Sequence, residues 1–207
     1  MWHVIGTKGC GSVLVEAALT LANLPYEHEE IDYAKPSADR DRLLAKNPLG
    51  QVPTVTAPDG TVMTETAAII WHLDELVPDA KLLPPVGTPE RRDAQRWLIF
   101  IIAAVYPTWT YGDEPEKWVG DAGPRLREST NAHRQKLWLQ VESEIAQRPG
   151  PWFLGATRSI LDVYVSVMTR WRPNRPWFAT NTPRLSAIAA AIDEDPRLAP
   201  LWAANFD

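Results

Sequence analysis

The chain contains few of the features that mark secreted, metal-binding or nucleic-acid-binding proteins. Its 207 residues include a single cysteine, which excludes an internal disulfide framework and a cysteine-rich metal site. The net charge is −5 and the basic residues are not clustered, whereas affinity for phosphate backbones comes from clustered Lys and Arg. We therefore expect a protein of a reducing compartment that does not bind nucleic acid.

The sequence also lacks long apolar runs. The N-terminal residues MWHVIGTKGC do not combine a basic region, an apolar stretch and a cleavage site, so they do not predict a signal peptide. The longest apolar run, residues 97–106, is far shorter than the roughly 20 residues that span a bilayer, and it predicts a buried helix. These features indicate a cytoplasmic protein without membrane contacts.

The first third of the chain alternates between strand and helix patterns. An apolar strand is followed by a glycine-rich turn and a helix, then by a second strand and a short polar helix. Asp59-Gly60 is a two-residue hairpin turn between two further short strands, and a helix follows them. The predicted order is βαβαββα, with strands at residues 3–5, 26–32, 54–56 and 62–63 and helices at residues 12–23, 37–45 and 65–77.

A proline-rich segment separates this part from the remainder. Residues 78–89 contain four prolines and no periodicity, which is typical of a linker. Beyond it only helical periodicity occurs, at residues 91–109, 125–148, 159–171 and 184–193. We predict a first domain at 1–77, a linker at 78–89 and an all-helical domain at 90–207.

Two short segments carry a family resemblance. NPLGQVPTV at 47–55 and TETAAI at 64–69, with the helical second part, resemble the cytosolic glutathione transferase superfamily, close to its bacterial theta-, beta- and zeta-like members. The resemblance covers essentially the whole chain. It implies an α+β thioredoxin-like N-terminal domain followed by an all-α bundle, with glutathione as co-substrate, no metal and a homodimer.

The resemblance assigns glutathione-binding roles to two pairs of residues. Val52 precedes a cis proline, Pro53, and its backbone pairs with the peptide as an added strand would. Glu65 and Thr66 begin a helix whose unpaired N–H groups suit the γ-glutamyl carboxylate, while the Glu65 carboxylate suits the neighbouring ammonium. Gln51 resembles a family position that helps to hold the peptide. The alternatives are a structural turn at Pro53, ordinary helix capping at Glu65 and a polar loop residue at Gln51.

Cys10 and Ser12 are the candidates for the catalytic position. Both precede or begin the first helix, where the family places a hydroxyl or thiol beside the glutathione sulfur. A helix N-terminus can lower the pKa of a thiol, so Cys10 could activate glutathione or form a mixed disulfide with it. The alternative is that Cys10 is a small packed residue.

The second part supplies an aromatic group and a structural motif. In the family, the helix around Pro107 contributes to the pocket for the electrophile, and an apolar pocket suits hydrophobic substrates; core packing is the alternative. Ser159-Ile-Leu-Asp162 is a capping box, so Asp162 is expected to matter for stability. The four histidines lack metal-ligand spacing and are interpreted as structural or surface residues. The pocket candidates are Tyr106, Trp109, Tyr111 and Trp118, and the histidines are His3, His28, His72 and His133.

Three functions are compatible with these features. The first is transfer of glutathione, as thiolate, to hydrophobic electrophiles in detoxification. The second is thiol transfer or reduction in which Cys10 carries a covalent mixed disulfide. The third is a non-catalytic binding module, which the intact Glu65-Thr66 pair disfavours.

Overall fold

The computed structural model describes residues 1–206, which form two compact units. The first unit consists of Met1–Leu82 together with the C-terminal segment that begins at Asp193, and the second is Leu83–Ile192. The sequence pattern did not predict that the last helix belongs with the first unit.

A four-stranded mixed sheet organises the first unit. Its strands are β1 (Trp2–Gly6), β2 (Tyr26–Glu30), β3 (Thr54–Thr56) and β4 (Val62–Met63), in the spatial order β2-β1-β3-β4. β1 runs parallel to β2 and antiparallel to β3, and β4 is antiparallel to β3. The central strands bury Val4, Ile5 and Val55. β2 lies at an edge of the sheet, and its sequence YEHEE is rich in charged residues, which suit an edge strand.

Three helices of the first unit complete the predicted order. They are α1 (Ser12–Leu21), α2 (Ala38–Lys46) and α3 (Thr66–Leu76). α1 is the crossover that two parallel neighbouring strands require, and it packs against α3. Leu43 of α2 packs in a separate cluster with Ile5 and Ile31. The thioredoxin-like arrangement predicted from the sequence is confirmed.

The second unit is helical, as predicted. The predicted helix 91–109 ends early: α4 ends at Phe100, a π-helical turn covers Ile101–Val105, and Pro107 begins α5. Proline lacks an N–H group and suits the first position of a new helix. The helices are α4 (Pro89–Phe100), α5 (Pro107–Asp113), α6 (Glu116–Val119), α7 (Gly123–Ile145), α8 (Ile160–Met168), α9 (Arg175–Asn181) and α10 (Pro183–Asp193), and α11 (Ala199–Phe206) belongs to the first unit.

No helix within residues 1–206 is both long enough and apolar enough to cross a membrane. The apolar run predicted to be a buried helix is divided between α4 and the π-helical turn, and Trp97, Leu98, Ile101 and Val105 are buried in it.

Candidate functional site

Three segments of the first unit converge at one end of the sheet. Ile5 of β1 is opposite Thr54 of β3, so the loop after β1 begins beside the segment that precedes β3. Val55 of β3 is opposite Met63 of β4, so the residues just before β3 and those just after β4 leave the hairpin at the same end. The loop with Cys10, the Val52-Pro53 segment and the start of α3 therefore share this end of the sheet.

The Val52-Pro53 segment presents an open backbone edge. The bond between the two residues is cis, as the resemblance implied. The Val52 side chain packs on the cluster of Ile5, Ile31 and Leu43, which fixes its position. Within residues 1–206, the backbone N–H and C=O groups of Val52 make no hydrogen bond. Backbone groups of this kind can pair with an extended peptide.

Asn47 holds this segment in place, and the sequence reading did not single it out. Its Nδ2 donates to the carbonyl oxygen of Gln51 at 3.0 Å and contacts Thr54 Oγ1 at 3.1 Å. Thr54 Oγ1 also donates to the Gln51 carbonyl oxygen, at 2.9 Å. The intervening turn needs glycine, because Gly50 has a φ of +61°. The backbone before Val52 is thus fixed, while the Gln51 side chain is exposed.

The start of α3 combines a strained backbone with an uncapped helix terminus. Glu65 has φ 65° and ψ 105°, and its side chain is exposed and makes no capping hydrogen bond. A non-glycine residue with positive φ is costly and is often found at functional sites. Because no side chain caps α3, its first N–H groups and the half-buried Thr66 remain available to a carboxylate.

Hydrogen bonds from several parts of the chain hold the loop before Cys10 in place. Each backbone N–H from Thr7 to Cys10 donates to a protein acceptor. The acceptors, in chain order, are Ser12 Oγ at 3.2 Å, Glu30 Oε1 at 2.9 Å, Asn205 Oδ1 at 3.1 Å and the Thr7 carbonyl oxygen at 3.0 Å. The half-buried Cys10 is therefore held two residues before α1, a helix without a side-chain cap.

Ser12 occupies a different environment from Cys10. It is fully buried, and its hydroxyl both accepts from the Thr7 N–H and donates to the Thr7 carbonyl oxygen, each at 3.2 Å. Its hydrogen-bonding capacity is used to close the loop. The two catalytic candidates are thus distinguished by exposure, with Cys10 the more accessible.

A charged network supports the loop from β2. His28 Nδ1 lies 2.9 Å from Oε2 of the buried Glu16, and His28 Nε2 lies 3.1 Å from Glu30 Oε2. Glu30 in turn accepts from the Lys8 N–H. The contact with Glu16 is the main cause that raises the pKa of His28, and Glu30 adds to it. His28, one of the four histidines interpreted as structural or surface residues, therefore interacts with two carboxylates, those of Glu16 and Glu30.

We expect this network to make stability depend on pH. The raised pKa means that the folded state favours protonated His28, so the contribution is fully present below about pH 6.5 and is lost as the pH rises through the folded-state pKa. In urea unfolding, His28→Gln should lower the free energy of unfolding by about 1 kcal/mol at pH 6 and by less at higher pH. His133→Gln, at an exposed histidine, is the control. A pH-independent loss for His28→Gln would contradict the network.

The aromatic candidates of the second unit form two groups. Tyr106 and the buried Trp109 contact Trp171 edge to face, with ring centroids 5.7 Å and 5.2 Å from that of Trp171. Tyr111 and Trp118 are exposed and form a separate pair with centroids 4.9 Å apart. The sequence pattern treated these four residues as one set, because a linear pattern does not show which rings share a face.

A buried cation lies beneath the first aromatic group. The guanidinium carbon of Arg134 is 4.7 Å from the Trp109 ring centroid, and one guanidinium nitrogen donates to Asn131 Oδ1 at 3.2 Å. Burial lowers the pKa of Arg134 to about 10, so the side chain remains charged at neutral pH. The sequence offered no signal for this contact, because Arg134 is one of several basic residues on a polar helix.

No group of three or more His, Cys, Asp and Glu side chains in the part of the chain that the structure describes could hold a metal ion.

Comparison with known proteins gives consistent matches. A family model for the N-terminal domain of glutathione S-transferases matches residues 14–76. The chain is 38% identical over 199 residues to the uncharacterized GST-like protein YncG of Escherichia coli strain K12, a match that covers 96% of this chain and 95% of that protein. It is 33% identical over 131 residues to the glutathione S-transferase GstA of Escherichia coli O157:H7, covering 63% of this chain and 62% of that protein.

Solved structures show the same fold. A glutathione transferase homologue from Sulfitobacter, with bound glutathione, has a TM-score of 0.85 with 23% identity, covering 98% of this chain and 97% of that one. A glutathione transferase from Methylococcus capsulatus has a TM-score of 0.82 with 25% identity, covering 99% and 98% of the two chains.

Proposed function

Because the chain belongs to the glutathione S-transferase family, we propose that it binds glutathione at the sheet end defined by Cys10, Val52 and Glu65 and transfers its thiolate to hydrophobic electrophiles. In this reaction a sulfur lone pair forms a bond to the electrophilic carbon, and the leaving group departs with its electron pair.

The observation that carries the proposal is the unpaired backbone of Val52 beside the uncapped start of α3. A peptide with an extended backbone gains hydrogen bonds from the N–H and C=O groups of Val52. Val52 precedes β3 and Thr66 follows β4 at the same end of the antiparallel pair, so one ligand would reach both. Glutathione has the matching chemistry, with a peptide backbone at its cysteine and a zwitterion at its γ-glutamyl end.

The start of α3 would hold the γ-glutamyl end. Its carboxylate would accept from the helix N–H groups and the Thr66 hydroxyl, and its ammonium would pair with the Glu65 carboxylate. The exposed amide of Gln51 would contact the same peptide. Pro53 would orient the backbone edge of Val52 toward the ligand, and it would make no polar contact with the ligand itself.

Cys10 is the residue proposed to act at the glutathione sulfur. Its half-buried position before α1 leaves it accessible, whereas the Ser12 hydroxyl is fully buried and bonded to Thr7. The partial positive charge of a helix N-terminus favours a thiolate nearby. Ser12 would then support the loop that carries Cys10.

The electrophile pocket is proposed on the basis of the family only, at Tyr106, Trp109, Tyr111 and Trp118. Trp109 is buried, so its ring would support Tyr106 and Trp171 rather than contact a ligand, whereas Tyr111 and Trp118 are exposed. Homodimer formation is proposed on the basis of the family only.

A second candidate function is thiol transfer through Cys10. The accessible position of Cys10 favours it, because a thiolate at a helix start can attack a disulfide sulfur. The intact Glu65-Thr66 pair argues against a non-catalytic module, because a pure scaffold has no use for a site that suits a zwitterion.

Calorimetry with glutathione tests the proposal. We expect the wild-type protein to bind glutathione at millimolar concentration or below and Glu65→Ala to weaken binding by about 1–3 kcal/mol, the range for losing a charged hydrogen-bond partner. Glu75→Ala, at an exposed glutamate of α3, is the matched control and should bind as the wild type does. Alanine meets the same positive φ as glutamate, so the fold should be retained.

Two outcomes would contradict this assignment. If the wild-type protein bound no glutathione at millimolar concentration, the proposed function would be wrong. If Glu65→Ala abolished cooperative thermal unfolding, Glu65 would instead be a structural residue of the α3 terminus.

A further inference from the structure

We propose that Asn205, on the C-terminal helix, is a positioning residue for Cys10. The functional part of this inference rests on the proposed role of Cys10 at the glutathione sulfur. Asn205 lies 195 residues beyond Cys10 in the chain, yet α11 and the Cys10 loop belong to the same compact unit.

The hydrogen bonds of Asn205 orient its amide toward the loop. The Nδ2 group donates to the Leu201 carbonyl oxygen at 3.1 Å, one turn earlier in α11. The opposite atom, Oδ1, accepts from the Gly9 N–H at 3.1 Å. An amide nitrogen is a donor and its oxygen an acceptor, so the two bonds define one orientation. With an exposed fraction of 7%, Asn205 is shielded from the water that would compete for these bonds.

The loop packs against the end of α11 at Gly9. Its φ of +69° lies in the left-handed region that favours glycine. A Cβ atom there would lie 3.5 Å from the Asn205 carbonyl oxygen and 3.7 Å from the Phe206 ring, which are ordinary contact distances. Glycine is therefore required by the backbone conformation, and α11 packs directly against this peptide.

Asn205 acts at the backbone N–H of Gly9, the residue immediately before Cys10. The other side-chain acceptors of the loop, Ser12 and Glu30, hold Thr7 and Lys8, which are farther from Cys10. Without the Asn205 acceptor, the part-buried Gly9 N–H would lose this hydrogen bond, and the loop would be held less firmly at this point. Cys10 would then lose its fixed position before α1, where the helix terminus favours the thiolate.

The single cysteine of the chain makes this inference measurable without glutathione. Iodoacetamide alkylates thiolates, so its rate as a function of pH reports on Cys10 alone. We expect Asn205→Ala to reduce the alkylation rate at pH 7 by about threefold or more and to move the midpoint of the pH profile upward, because less thiolate is stabilised. Amide hydrogen exchange at Gly9 should accelerate about tenfold or more as its acceptor is lost.

Two further variants separate positioning from packing. Asn205→Asp keeps an oxygen acceptor and should keep the Gly9 amide protected. Asn181→Ala is the matched control, because Asn181 donates from Nδ2 to the Trp177 carbonyl oxygen within α9 but holds no loop. It should alkylate as the wild type does.

The inference is overturned if Asn205→Ala leaves both the alkylation profile and the Gly9 exchange rate unchanged. It is also overturned if Asn205→Asp loses Gly9 protection as fully as Asn205→Ala, since packing would then be responsible. Neither measurement uses glutathione, so a failure here is distinct from a failure of glutathione binding.

Discussion

Asp162→Ala is expected to lower the free energy of unfolding by about 2–6 kcal/mol, because two buried backbone donors lose their acceptor at about 1–3 kcal/mol each. Asp162 is fully buried at the start of α8. Its Oδ1 accepts from the Phe153 N–H and its Oδ2 from the Ser159 N–H, each at 2.7 Å. The side chain thus joins the helix terminus to the preceding loop, which makes it structural rather than chemical.

Denaturant unfolding of the purified variant measures this loss. Asp121→Ala, at an exposed aspartate of the same unit, should change stability by less than about 0.5 kcal/mol. Asp162→Asn should fall between the two, because its amide has one acceptor oxygen for two donors. A loss below about 1 kcal/mol for Asp162→Ala would show that water or a relaxed loop satisfies both N–H groups.

Local patterns in the sequence were sufficient for most of the first unit. The hairpin around Asp59-Gly60 connects strands at the predicted positions, but the prediction of a two-residue turn was wrong. The Ala57 N–H donates to the Thr61 carbonyl oxygen at 2.8 Å, so the turn contains the three residues 58–60. Ser37 caps α2, accepting from the Arg40 N–H at 3.1 Å, three positions along the chain. The capping box at Ser159 and Asp162 is likewise confirmed. In each case the interacting residues are within a few positions of one another.

Contacts between distant residues could not be predicted in the same way. The acceptor for the Gly9 N–H comes from Asn205, and no local pattern connects residues 196 positions apart. The pairing of His28 with Glu16 needs the register between β2 and the sheet as well as the position of α1. The sequence alone likewise left Cys10 and Ser12 as rivals, because burial of the Ser12 hydroxyl depends on how the loop closes against Thr7.

The positions of the candidate segments follow from the sequence more directly than the roles of their residues. Val52 and Glu65 are carried by segments whose positions follow from the hairpin register, so their proximity was predictable once the strands were identified. The positive φ of Glu65 could not be predicted, because it results from the junction of β4 with α3. Asn47, which holds the Gln51 carbonyl, was visible only as the first residue of the loop motif.

The substitution Cys10→Ser is expected to separate the two proposed reactions. In thiol transfer, the Cys10 thiolate would attack the glutathione sulfur of a mixed disulfide and release the other thiol. A second glutathione thiolate would then attack the Cys10–glutathione disulfide, giving oxidised glutathione and restoring Cys10. A serine hydroxyl cannot form this intermediate, so thiol transfer should fall by about 100-fold or more while glutathione still binds.

Conjugation should respond differently to the same substitution. If Cys10 only donates a hydrogen bond to the glutathione thiolate, a serine hydroxyl donates at least as well, and conjugation to an aromatic halide should persist or rise. Cys10→Ala removes the donor from that position and should lower conjugation by about tenfold, the worth of a charge-assisted hydrogen bond of roughly 1.4 kcal/mol. Unchanged activity in both assays for both variants would make Cys10 a packing residue. The chemistry would then have to be sought at Ser12, although its hydroxyl already bonds to Thr7 in this loop.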